Sequence, residues 1–164
     1  MQKISPFLWF NDNAEAAVDF YISVFQDGKI LRKTHYAEVP AENRPPCPPV
    51  GTMMTVEFEL FGQNYTALNG GPIFKFNEAI SFVVSCDTQE EVDRYWDALT
   101  ADGGKPVQCG WLQDKFGVSW QIVPTVLADL MASSDPALCS RVTQAMLKMI
   151  KLDIATLQQA AASK

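Results

Sequence analysis

The chain has 164 residues, 48% of them apolar and 20% charged, enough for one compact domain or two half-size modules sharing an interior. Its formal charge of −6 argues against non-specific binding to nucleic acid or to an anionic membrane, either of which calls for a basic face. The four cysteines, Cys47, Cys86, Cys109 and Cys139, are scattered with no C-x-x-C pair; the even count permits disulfides, but buried thiols in a reducing cytoplasm are the preferred reading. No basic-then-apolar leader occurs, nor any apolar run of about 18 residues, so a cytoplasmic protein is expected rather than a membrane one.

Ile4–Phe10 carries apolar residues on both faces, the pattern of a strand covered on both sides. Asn11-Asp12-Asn13 offers short polar side chains to cap a helix. Ala14, Ala17, Val18, Tyr21 and Phe25 then share one helical face, and Asp27-Gly28 ends that helix with a glycine suited to a left-handed cap. Lys29–Ala37 reads as a strand. Pro40–Pro49 holds five of the ten prolines, so it is a stiff loop, either a lid or interface arm or a plain exposed insertion. Thr52–Leu60 alternates as a half-buried strand, and Gly62-Gln63 can turn it back into Asn64–Asn69.

The opening then recurs. Ile4-Ser5 returns as Ile80-Ser81, Val18-Asp19 as Val92-Asp93, and Gly28-Lys29 as Gly104-Lys105. Ile80–Cys86 is a strand, Thr88 and Glu91 fit a capping box, and Val92, Tyr95, Trp96 and Leu99 make the helical stripe that Gly103-Gly104 stops. Pro106–Leu112 and Val118–Val123 are strands around an Asp114–Gly117 type I turn. Beyond Pro124 a short helix over Thr125–Ala132 is possible, and Ser134-Asp135-Pro136 starts another, striped by Leu138, Val142, Ala145, Met146 and Met149. That stripe must be buried on its own core or on a second subunit. The expected organisation is a first βαβββ module over residues 1–75 with the proline loop at 40–49, a second over 79–125, and a helical extension over 126–164.

The run SPFLWFNDNAEAAVDFY, the run GWLQDKFGVSWQIVPTVL and the terminal MLKMIKLDIA resemble the PhnB-like branch of the vicinal-oxygen-chelate superfamily, the glyoxalase, bleomycin-resistance and extradiol-dioxygenase group. Members of that branch often carry the name 3-demethylubiquinone 3-methyltransferase. The resemblance implies an α+β fold of two paired βαβββ modules, sheets curled around a groove with a C-terminal helix added, and a homodimer. Enzymes of the superfamily hold a divalent metal with His, Glu or Gln from the first and last strand of each module. The matching positions here are Ser5, Thr66, Ser81 and Gln121.

Two serines, a threonine and a glutamine are weak neutral donors where a transition metal wants imidazole, carboxylate or thiolate. No metal and no other cofactor is therefore expected, and the sole histidine, His35, is at none of the four places. A small organic ligand would instead meet these four residues together with Phe7 and Trp9, which alternate onto the face of Ser5. If Gly62-Gln63 is the hairpin turn, Glu59 pairs with Thr66 and could act as a general base; the plainer alternative is that Glu57 and Glu59 face water. His35 could move a proton or simply lie on the surface beside Arg32 and Lys33. Trp111 could stack on a ligand, whereas Tyr65 and Trp120 alternate to the side under the helices. The first turn lacks the glycine-rich loop of common S-adenosylmethionine-binding enzymes. A metal-free binding protein leads; an enzyme (lyase, isomerase or transferase, including the methyltransferase of the family name) using Glu59, and an assembly protein, are the alternatives.

Overall fold

The computed structural model describes residues 2–38 and 48–163, so most of the proline loop, with Cys47, lies outside the described residues. The chain divides into two compact units, Met1–Phe76 and Asn77–Lys164.

In the first unit β1 (Phe7–Phe10), α1 (Ala14–Phe25), β2 (Gly28–His35), β3 (Met53–Leu60) and β4 (Gln63–Asn69) follow in order. The sheet order is β1-β4-β3-β2, with β1 parallel to β4 and the other pairs antiparallel. A parallel pair needs a crossover, and α1 makes it. Ala14, Ala17, Val18, Tyr21 and Phe25 are buried, as their spacing requires, with Val56, Phe58, Leu60 and Ala67 of the sheet. Tyr21 stacks toward Phe58, and Phe58 on Tyr65 with centroids 5.2 Å apart, so Tyr65 does face the helix side.

Three local expectations are corrected. The first strand begins at Phe7, not Ile4, and only one face is fully covered: Leu8 and Phe10 are buried, while on the other face Trp9 is half-buried and Phe7 is 60% exposed. Gln26, at φ 56°, is the left-handed residue ending α1, not Gly28. Gly28 opens β2, where a Cβ would stand 2.7 Å from the Glu59 carbonyl and from Leu60 Cδ2, so glycine is there for close approach. The helix cap is also remote. Asn13 makes no capping bond; Asn69 Oδ1, at the end of β4, accepts from Ala14 N–H at 2.8 Å. Asn69 is buried and also donates through Nδ2 to the Met53 carbonyl at 3.2 Å, so one side chain ties helix start to two strands.

The second unit repeats the plan with β5 (Phe82–Cys86), α2 (Gln89–Thr100), β6 (Lys105–Pro106), β7 (Trp111–Gln113) and β8 (Ser119–Pro124), in the order β5-β8-β7-β6. The strand expected over Pro106–Leu112 is two short ones, interrupted by Cys109 and Gly110 at φ 60° and 81°. Half of the expected capping box forms: Glu91 N–H donates to Thr88 Oγ1 at 3.3 Å, while Glu91 Oε2 reaches one residue past the cap and accepts from Asp87 N–H at 2.8 Å. Val92, Tyr95, Trp96 and Leu99 are buried with Leu112, Trp120 and Ile122.

The C-terminal region is three helices: α3 (Thr125–Met131) and α4 (Pro136–Met146) stand where the short helix and the proline-started helix are expected, and α4 ends before Met149, with α5 (Ile154–Ala162) as a further helix. Asp135 caps α4 at Ala137 N–H, with Pro136 in its first turn. The stripe finds its cover within this unit, where Val142 packs with Leu127, Leu152 and Leu157, and Leu138, Met146 and Met149 lie against them. Among the described residues no helix is long and apolar enough to cross a membrane.

Asn69→Ala removes a helix cap and the partner of a part-buried carbonyl, and is expected to lower unfolding stability by about 2 kcal/mol. Asn13→Ala, at the position without a capping bond, should change it by less than about 0.5 kcal/mol. Urea denaturation of the two variants checks the contrast.

Candidate functional site

In the first unit, Thr66 sits in β4 opposite Phe7 of β1 and Glu57 of β3. The hairpin turns at Phe61-Gly62, both with positive φ, and not at Gly62-Gln63. This moves the pairing by two residues, which keeps the faces: Glu57 is opposite Thr66, and Glu59 is opposite Asn64. Alternation still leaves Glu57, Glu59 and Thr66 on one face. Each carboxylate has a cation from β2. Lys29 Nζ lies 3.1 Å from Glu59 Oε1, and Arg32 holds Glu57. The neighbouring Glu57 raises the already high Arg32 pKa further, first by the hydrogen bond and then by charge.

His35 is exposed opposite Met53, at the far end of the same ladder from Glu59. Glu59 lies six residue steps along β3 from Met53, about 20 Å of chain, so Glu59 and His35 do not address one atom together. Ser5 lies just ahead of β1 and is exposed; the Pro6 carbonyl beside it accepts from Thr66 N–H at 3.0 Å. Trp9 is half-buried and firmly held. Its Nε1 donates to the Gly71 carbonyl at 2.9 Å, Phe74 stands edge-on at 5.0 Å, and a Cβ on Gly70 would lie 2.3 Å from the indole. The ring is therefore fixed by its own unit, an arrangement that hydrophobic spacing does not reveal.

In the second unit, Gln121 of β8 faces Val83 on one side and Trp111 on the other. Its Nε2 donates to Ser81 Oγ at 2.8 Å. Two of the four matched positions are thus joined directly, each unit carrying its own pair. Trp111 is half-buried, and Trp120 is buried beside Phe82 on the helix side. Ser119, two residues before Gln121, is buried, and its Oγ has no hydrogen-bond partner among the described residues.

Asp114 does more than start a turn. It is buried, with Oδ1 accepting from Phe116 and Val118 N–H at 2.9 and 3.0 Å and Oδ2 from Trp120 Nε1 at 2.8 Å. The signal was in the DKFG turn itself, since Asp at a turn start commonly accepts from the backbone two residues on. Here the carboxylate organises the β7–β8 turn.

The donors do not suit a divalent transition metal. Gln121 spends an amide N–H on Ser81, hydroxyls are weak ligands, and among the described residues no three His, Cys, Asp or Glu side chains gather in one place. Nor do the turns suit a methyl-donor nucleotide cradle: Asn11–Asn13 leads into α1 and Asp87-Thr88 into α2, neither with glycine.

The family model described as 3-demethylubiquinone-9 3-methyltransferase matches residues 2–123. The chain belongs to that family. The PhnB protein of Bacillus cereus, solved under the same 3-demethylubiquinone-9 3-methyltransferase description, is similar at 34% identity over 76% of this chain and 100% of its own, with a TM-score of 0.64. Protein PA1353 of Pseudomonas aeruginosa is 22% identical over 76% of this chain and 98% of its own, with a TM-score of 0.54, and supports the fold alone. A search of the curated proteins finds no match. The family model stops at Val123, so within this PhnB-like chain α3, α4 and α5 lie beyond the matched part.

Burial, and then the nearby Glu91 and Asp87 carboxylates, push the Cys86 thiol up to about 12. The reactive thiolate is therefore scarce at ordinary pH. Iodoacetamide at about pH 8 should leave Cys86 unmodified in the native chain and alkylate it only after denaturation; peptide mass spectrometry reads the outcome. Separately, Gly70→Ala should drive the Trp9 ring from its place and shift tryptophan emission, because the added methyl has no room.

Proposed function

We propose that this chain is a metal-independent binder of a small, partly apolar organic molecule, working as a homodimer in the cytoplasm, with Ser81 and Gln121 as the receiving residues of the second unit and Ser5, Phe7, Trp9 and Thr66 as those of the first, each set taken by itself. The observation that carries the reading is the 2.8 Å bond from Gln121 to Ser81. An amide oriented by a hydroxyl keeps its oxygen and its second N–H for a ligand, which suits recognition by hydrogen bonding. Within the first unit, the fixed Trp9 ring and the exposed Phe7 offer apolar contact surface of the kind small-molecule sites use.

The competing reading is an enzyme, a lyase, isomerase or transferase with Glu59 as acid–base. The half-buried Glu59 side chain beside Lys29 motivates it, but that same ammonium occupies the carboxylate. The family name's methyl transfer would need a nucleotide cradle, and the turns offer none.

Native mass spectrometry of the purified chain, incubated with fractionated small-molecule extract in excess EDTA, tests the proposal. A bound mass is expected to persist in EDTA and to weaken by about tenfold or more in Gln121→Ala, the loss of one to two hydrogen bonds. Binding that vanishes with EDTA, or that ignores Gln121→Ala, contradicts it. Glu59→Gln should leave the bound mass in place.

A further inference from the structure

The loop from β6 to β7 makes a demand that the module alone does not meet. Val107 N–H donates to the Trp111 carbonyl at 2.8 Å and Trp111 N–H to the Gln108 carbonyl at 3.1 Å, which closes the loop. The left-handed residues Cys109 and Gly110 then need partners elsewhere, and Gly110 is buried, where an unpaired N–H is costly. The partners come from the chain's far end. Cys109 N–H donates to the Met149 carbonyl and Gly110 N–H to the Ile150 carbonyl, both at 2.8 Å. The Gly110 carbonyl in turn accepts from Ile122 N–H at 2.8 Å, one residue after Gln121. Leu152 presses on the same glycine: a Cβ there would stand 2.8 Å from the Ile122 carbonyl and 3.0 Å from Leu152 Cδ1.

The other end of this segment is tied to α2. Gln89 Nε2 donates to the Leu152 carbonyl at 3.2 Å and to Asp93 Oδ1 at 3.1 Å, while Gln89 Oε1 accepts from Ile154 N–H at 2.9 Å. Lys151 Nζ reaches Asp93 at 2.8 Å and Asp97 at 3.5 Å. The first unit needs no such help. Its β2 runs eight residues along β3, whereas β6 has two and β7 three. The segment also lies past the end of the family match.

We infer that residues 149–154 are a positioning strap that replaces the missing length of strand in the second module and, through Gly110 and Ile122, holds Gln121 in its bond to Ser81. Gln89 is the positioning residue that fastens the strap. The link to ligand rests on the proposed role of Gln121; the mechanical link does not.

Hydrogen exchange of the full chain followed by NMR tests the strap. In Gln89→Ala, exchange at the Gly110 and Ile122 amides should rise by about tenfold or more, with Thr66 and Ala67 of the first unit unchanged. The Gln121 side-chain amide resonances should move as well. Faster exchange at Ile154 with Gly110 and Ile122 unaltered overturns the inference. Should Gln89→Ala fail to fold, Lys151→Met, which keeps the apolar stem, is read by the same criteria. Loss of the ligand reading leaves a distinct signature: slow wild-type exchange at Gly110 with no bound small molecule.

Discussion

Parallel strands cannot be joined by a tight turn, and that constraint shapes each half of this molecule. In the first unit β1 must lie beside β4, so α1 has to cross the sheet between β1 and β2, and the order β1-β4-β3-β2 follows. The helix can make that crossing because one of its faces is wholly apolar and the sheet beneath offers Val56, Phe58, Leu60 and Ala67. The same constraint produces β5-β8-β7-β6 in the second unit. Each unit thus carries the same four-stranded order.

The chemistry of the site follows from what stands at the strand positions this pattern provides. Imidazole or carboxylate there would gather charge suited to a metal. Hydroxyl and amide groups satisfy one another instead, as Gln121 and Ser81 do. Such groups can select a ligand by direction and shape without supplying a Lewis acid. The carboxylates on the first sheet are likewise engaged, by Lys29 and Arg32 across the ladder.

Helices and the repeat were legible because they rest on local spacing: Ala14 to Phe25 and Val92 to Leu99 bury the residues their periodicity names. The features that were not legible depend on distant partners or on single-residue turn geometry. No neighbour of Asn13 announces that Asn69, 55 residues from Ala14, supplies the cap. Placing the hairpin turn one residue late exchanged Glu57 for Glu59 opposite Thr66. A glycine signals unusual backbone, but sequence does not distinguish a left-handed cap from the close approach found at Gly28. The stripe ending in Met149 read as one helix because nothing local marks the turn after Met146, whose purpose is to return the backbone to Cys109 and Gly110.

In the proposed function a hydroxyl-and-amide site works without a metal. Elemental analysis of untagged protein, purified without chelator and dialysed against metal-free buffer, tests that claim most directly. The account predicts divalent transition metal far below one equivalent per chain. One equivalent, retained through dialysis and lost in Gln121→Ala, would contradict it.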